Sequence, residues 1–157
     1  MIVDFYVAGR AAPQGSKNLG RAGNMYESSR YLKPWRELIA YHAVAQQIPM
    51  IDGPVILGLG FVMTRPQRTP RTRPTPPATK RPDIEKLARG CADALTGIAF
   101  RDDAQVDRMP LAKRIAELGE EPGVRILIAP SDSGSLAEVV SSLYGLSLNP
   151  YCTTCLE

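Results

Sequence analysis

The stretch from Lys80 to Val106, KRPDIEKLARGCADALTGIAFRDDAQV, decides the reading of this chain, because it sets acidic residues at both ends of one predicted helix. Ile84, Leu87, Ala88, Cys91, Ala92 and Leu95 recur at the three-and-four spacing of a helix with one buried face. Pro82 and Asp83 are a start signal. Thr96-Gly97 is a stop, since glycine tolerates the left-handed conformation that ends many helices. Asp83 and Glu85 therefore stand at the entrance, and Asp102 and Asp103 beyond the exit. A helix of about 13 residues is roughly 20 Å long, so the two acidic pairs meet only if the chain reverses. The segment from Gly97 to Phe100 is long enough to turn, and the chain from Ala104 reads as a strand able to run back antiparallel to the helix. Asp83 and Glu85 can share one ion if Asp83 precedes the first full turn, because residues i and i+2 diverge on a helix but share a side of an extended chain.

At 157 residues the chain fits a single domain with room for a core. Residues 1–130 hold all 19 Lys and Arg against 13 acids, a balance of +6, while 131–157 hold three acids and no base. A basic body suits a nucleic-acid surface, and it equally suits ordinary solubility. No apolar run approaches the ~20 residues of a membrane span. Met1 to Tyr6 lacks the pattern of a secretory signal, so a cytoplasmic protein is expected. Three cysteines make no disulfide framework.

Ile2 to Ala8 predicts a first strand, and Arg10 to Arg30, aperiodic and rich in Gly, Ser and Asn, a loop. Pro34, Trp35, Leu38, Ile39, His42 and Ala43 predict an amphipathic helix to Gln47 with Trp35 as a core anchor. His42 has no second histidine with which to build a metal site, so it reads as structural. Pro54 to Met63 is apolar enough for a buried strand in which Gly58 and Gly60 permit close approach. From Arg65 to Arg81 the composition changes abruptly, to five prolines and six basic residues without an acid. Such a stretch forms neither helix nor interior strand, and reads either as a solvated loop or as a mobile cationic arm beside the carboxylates. Val106 to Leu118 and Gly123 to Ala129 predict two more strands, joined by a turn at Gly119 to Gly123. Lys113 and Arg114 face DNA or water. After Pro130 the residues SDSGS are linker-like, and Leu136 to Leu146 form a short helix or stay disordered. Cys152 and Cys155 supply only two of the four ligands of a structural zinc.

Three segments together resemble the RusA-like Holliday junction resolvases: Arg81-Pro82-Asp83-Ile84-Glu85-Lys86, Asp93-Ala94-Leu95-Thr96-Gly97 and Asp102-Asp103-Ala104-Gln105-Val106. Pro13-Gln14-Gly15-Ser16-Lys17 and Lys33-Pro34-Trp35-Arg36 match further parts of the family pattern. The resemblance implies a magnesium-dependent endonuclease, with Mn2+ as a substitute, that acts as a homodimer on branched DNA without an organic cofactor. It implies Asp83, Glu85 and Asp103 as metal ligands, Asp102 as their assistant, and Lys86 or Arg89 as the cation beside the phosphate. Lys17, Arg65, Arg68, Arg71, Arg73, Lys80, Arg81 and Arg89 are the expected DNA contacts. The family's second acid is usually Asp and its neighbour Asn, where this chain has Glu85 and Lys86. A family lysine is Arg89 here, and arginine does not readily give up a proton.

Taken singly, each acid has a duller explanation: Asp83 as a helix cap, Glu85 as a partner of the helix dipole, Asp102-Asp103 as a turn. Taken as a matched set, they read as a site. A four-way junction has paired strands to be cut, so a two-fold homodimer answers its symmetry. The expected fold is α/β (α+β), a small mixed sheet of about four strands with two main helices. It comprises an endonuclease domain over 1–130 and an acidic tail over 131–157. A less selective branched-DNA nuclease and a catalytically impaired junction-binding protein are the alternatives.

Overall fold

A computed structural model describes residues 1–15, 17–19, 25–27 and 30–145, with residues 17–19, 25–27 and 133 described as backbone alone. Along it run β1 (Val3–Ala8), β2 (Lys17–Leu19), β3 (Met25–Glu27), α1 (Leu32–Ala45), β4 (Val55–Met63), α2 (Ile84–Leu95), β5 (Val106–Arg108), β6 (Leu111–Ile115), β7 (Gly123–Pro130) and α3 (Ser133–Tyr144).

β4 organises the molecule. It pairs antiparallel with β7, which pairs antiparallel with β1, and it pairs parallel with both β5 and β6. The result is a five-stranded mixed sheet, one strand more than expected. Because side chains alternate along a strand, Val55, Leu57, Leu59 and Phe61 join Val124, Ile126 and Ile128 on one face, under α1 and α2. Ile56, Leu127 and Ala129 lie on the other face with Val139 of α3. Burial on both faces explains why β4 reads as a continuous apolar run.

The third helix was expected only as one alternative to disorder. It seats where β4 lacks side chains: a Cβ on Gly58 would lie 2.7 Å from Val139 Cγ1, and one on Gly60 2.9 Å from Leu143 Cδ1. Asp132 caps its start by accepting from the Ser135 amide at 2.7 Å, which holds the Asp132 carboxyl below its usual range. Arg125 holds its far end, donating to the Ser142 carbonyl at 2.6 Å while clasping Asp4 at 2.6 and 3.0 Å.

Three further differences have local causes. The expected loop over residues 10–30 contains a small hairpin in which Lys17–Leu19 pairs with Met25–Glu27. The expected strand over Val106 to Leu118 is two strands, parted at Met109-Pro110, where proline supplies no amide to a ladder. α1 starts at Leu32, so Pro34 falls within its first turn, where the missing N–H has no intrahelical partner to lose.

Candidate functional site

α2 begins and ends as its sequence predicts, from an extended Asp83 to Gly97 at φ 81°, where the Gly97 amide meets the Phe100 carbonyl at 2.7 Å. The Asp83 side chain makes no capping hydrogen bond. Its carboxylate is exposed, 3.8 Å from Lys86 Nζ. Glu85 and Arg89 are exposed on the same helix, and neither side chain has a partner among the described residues.

What fixes this end of α2 is Lys113 on β6. Its ammonium donates to the carbonyls of Lys80 at 3.0 Å and Pro82 at 2.8 Å, so it grips the backbone on both sides of the cis Arg81–Pro82 bond, just before Asp83. The Gln14 amide donates to the Lys86 carbonyl at 3.0 Å and ties the first loop to the same turn. Between that loop, the end of β4 and the proline-rich stretch lies a cleft of about 1140 Å³. Arg10, Arg68, Lys80, Arg81 and Lys86 line it against a single acid, Asp83. The Lys17 side chain, an expected phosphate contact, lies outside the described residues.

The proline-rich stretch follows a hydrogen-bonded course. Arg65 folds it: the guanidinium donates to Thr75 Oγ1 at 2.6 Å and to the carbonyls of Arg73 at 2.9 Å and Pro70 at 3.3 Å. Thr75 in turn donates to Glu117 beyond β6. Arg65, one of the expected DNA contacts, thus spends its guanidinium on bracing the loop. Arg68, Arg71, Arg73, Lys80 and Arg81 keep exposed side chains, as a polyanion-binding surface requires.

The second acidic pair stands at the other end of the helix. Asp102 starts a short 3₁₀ turn, its Oδ1 accepting from the Ala104 amide at 2.8 Å, while Gln105 Oε1 accepts from the amides of Arg101 at 2.7 Å and Asp102 at 3.1 Å. Gln105 Nε2 then donates to the carbonyls of Ile51 at 2.9 Å and Gly53 at 2.8 Å, ahead of β4. Asp103 is exposed with no partner among the described residues. Together with Thr96 and Asp93, which pairs with Arg36, the two acids line a hollow of about 310 Å³.

Within one protomer the two pairs do not meet. β4 and β5 are parallel, so the intervening helix must carry the chain back from the end of β4 to its beginning. The 12 residues of α2 span about 18 Å. Asp83 shares the cleft with the ends of β4 and β6, whereas Asp103 precedes β5, which pairs with the start of β4. The turn at Gly97 leads into the sheet and not back along α2. Asp83, Glu85 and Asp103, the expected ligands of one ion, therefore stand at opposite ends of α2 in one protomer, and no cluster of three potential ligands gathers among the described residues.

Other candidates fall away. Cys91 is buried on the inner face of α2, and desolvation pushes its thiol up to about 12, so it is a core residue and no nucleophile. His42 packs edge-on against its neighbour Tyr41 at 5.7 Å. Cys152 and Cys155 lie outside the described residues. No helix among the described residues is long and apolar enough to cross a membrane. Sequence reasoning missed the grip of Lys113, the Arg36–Asp93 pair and the place of Tyr31 in the cleft wall. Only the Asp93–Arg36 complementarity of charge left a trace in the sequence.

A comparison with curated proteins finds no match. The family model described as Endodeoxyribonuclease RusA matches residues 8–129, from the end of β1 to the penultimate residue of β7, and takes in the cationic cleft and both acidic pairs. The chain belongs to the RusA endodeoxyribonuclease family.

Proposed function

We propose that this protein is a magnesium-dependent, homodimeric endonuclease that resolves Holliday junctions by paired phosphodiester cleavage in DNA recombination and repair. One observation carries the reading: a cleft with five cations opens onto Asp83 at one end of a helix whose other end presents Asp103. Asp83, Glu85 and Asp103 offer exposed carboxylate oxygens of the hard type that magnesium takes. A two-fold axis that sets α2 antiparallel to its copy brings Asp83 and Glu85 of one protomer beside Asp103 of the partner subunit. Two such sites then form, one for each strand to be cut.

Magnesium held there would polarise the phosphate oxygens and lower the pKa of a bound water. The chain's own groups do the rest. Asp102 spends one oxygen on its cap and so orients Asp103. Lys86, exposed beside Asp83, and Arg89, one turn on, offset charge on the scissile phosphate. Arg68, Arg71, Arg73, Lys80 and Arg81 neutralise flanking phosphates, each contributing a slope of about −0.9 in log affinity against log salt.

The test is cleavage of a labelled synthetic four-way junction, a fork and a linear duplex, with and without magnesium or manganese. Magnesium-dependent cutting of the junction alone, abolished by Asp83→Asn and by Asp103→Asn, supports the reading. Full cleavage by either variant removes that residue from the metal site. Equal cutting of the fork points to a less selective nuclease. Glu85, Lys86 and Arg89 depart from the family pattern, and they favour one alternative, an impaired junction-binding protein. Tight, salt-sensitive junction binding without product under either metal would establish it.

A further inference from the structure

Tyr31 lines the same cleft as Asp83 and Lys86, yet the residue is 50% exposed. Two guanidinium groups lie over it, with Arg30 Cζ 4.8 Å and Arg10 Cζ 5.6 Å from the ring centroid. Arg30 also donates to the Tyr31 hydroxyl at 2.6 Å. Neither arginine has a carboxylate partner among the described residues. The Tyr31 backbone begins α1, its carbonyl accepting from the Trp35 amide at 3.2 Å, but its side chain makes no capping bond. The helix start thus places the ring without using it.

A half-exposed aromatic ring in a cationic cleft, with two guanidinium groups over it that a base can join or displace, suits one ligand class above others. We propose that Tyr31, flanked by Arg10 and Arg30, is a stacking platform that receives an unpaired base of DNA, the two arginines meeting its phosphates. Every base has a π-face, so such a platform is tolerant of sequence. Bases inside a duplex have both faces covered by their neighbours. The platform therefore favours DNA with open base pairs, such as those at a branch point, over continuous duplex. This inference rests on the junction-cleaving reading above and adds to it a means of substrate selection.

The experiment compares wild type, Tyr31→Phe and Tyr31→Ala for binding to a fluorescent single-stranded oligothymidylate and to a fully paired duplex, without metal and at several salt concentrations. Tyr31→Ala is expected to weaken single-strand binding about tenfold, leaving duplex binding and the salt slope unchanged. Tyr31→Phe should behave as wild type. A 2-aminopurine placed at the branch point of a four-way junction should be quenched by wild type and not by Tyr31→Ala. Equal losses on single strand and duplex, no loss on either, failure of wild type to bind the oligothymidylate, or a Tyr31→Phe defect matching that of alanine would each overturn the platform. If wild type cuts the junction and Tyr31→Ala stacks the reporter normally, only the platform falls. If wild type neither binds nor cuts the junction, the functional reading falls first.

Discussion

Replacing Lys113 by methionine keeps most of the side-chain stem and removes the ammonium that grips the backbone before Asp83. Two hydrogen bonds are lost, at 3.0 and 2.8 Å. A charge-assisted bond contributes about 1.5–3 kcal/mol when buried. Here the group is half-buried and the Lys80 carbonyl can rehydrate, so the pair contributes about 1.5–3 kcal/mol in total. That difference shifts the population of the gripped loop by about 10- to 100-fold. Asp83 leaves its working position to that extent, and a displacement of about 1 Å suffices for a hundredfold loss of rate. The assay is single-turnover cleavage of a four-way junction at saturating protein, with junction affinity measured at several salt concentrations. Lys113→Met should cut about 10- to 100-fold more slowly while its salt slope stays that of wild type. A slope lowered by about 0.9 with an unchanged cleavage rate would make Lys113 a phosphate contact and refute the positioning role.

Other consequences follow from the same contacts. Arg65→Ala removes the donor that folds the proline-rich loop, so limited trypsin digestion should cut after Arg68 and Arg71 sooner than in wild type, and junction affinity should fall several-fold. Arg114 holds Glu120 down to about 2 from 4.5, so the pair's stabilisation is complete above about pH 4.5 and is lost as pH falls towards 2. Because the pair is largely solvent-exposed, Glu120→Gln should cost only about 0.5–1 kcal/mol at pH 7, a difference in thermal unfolding that closes towards pH 2. Gly123→Ala sets a Cβ 2.3 Å from the Val7 carbonyl oxygen, backbone that cannot step aside, so unfolding experiments should show a loss of at least about 2 kcal/mol.

The helix at the centre of the site was legible because its signals are local: a one-faced apolar pattern, Asp83 before it and Gly97 after it. β4 was legible through its apolar run, and Gly58 and Gly60 correctly announced a close neighbour without naming it. That neighbour, α3, offers only Leu136, Val139 and Leu143 at helical spacing behind a linker-like SDSGS, so its partner could not be read locally. Arg65 and Lys113 show the limit of charge patterning, because composition counts cations and does not reveal which ones turn inward to carbonyls. The separation of Asp83 from Asp103 depends on β5 and β6 pairing parallel to β4. No local pattern states that pairing, so the sequence could pose the meeting of the two acidic pairs only as a condition, within one subunit or across a dimer.

If each site draws Asp83 from one protomer and Asp103 from the other, two inactive variants should repair one another. In a mixed dimer of Asp83→Asn with Asp103→Asn, one site carries both substitutions and the other carries neither. Subunit exchange between the two inactive variants, confirmed by differently tagged copies, should therefore restore magnesium-dependent nicking of a four-way junction at one strand per dimer. A confirmed mixed dimer as inactive as its parents would contradict the shared site.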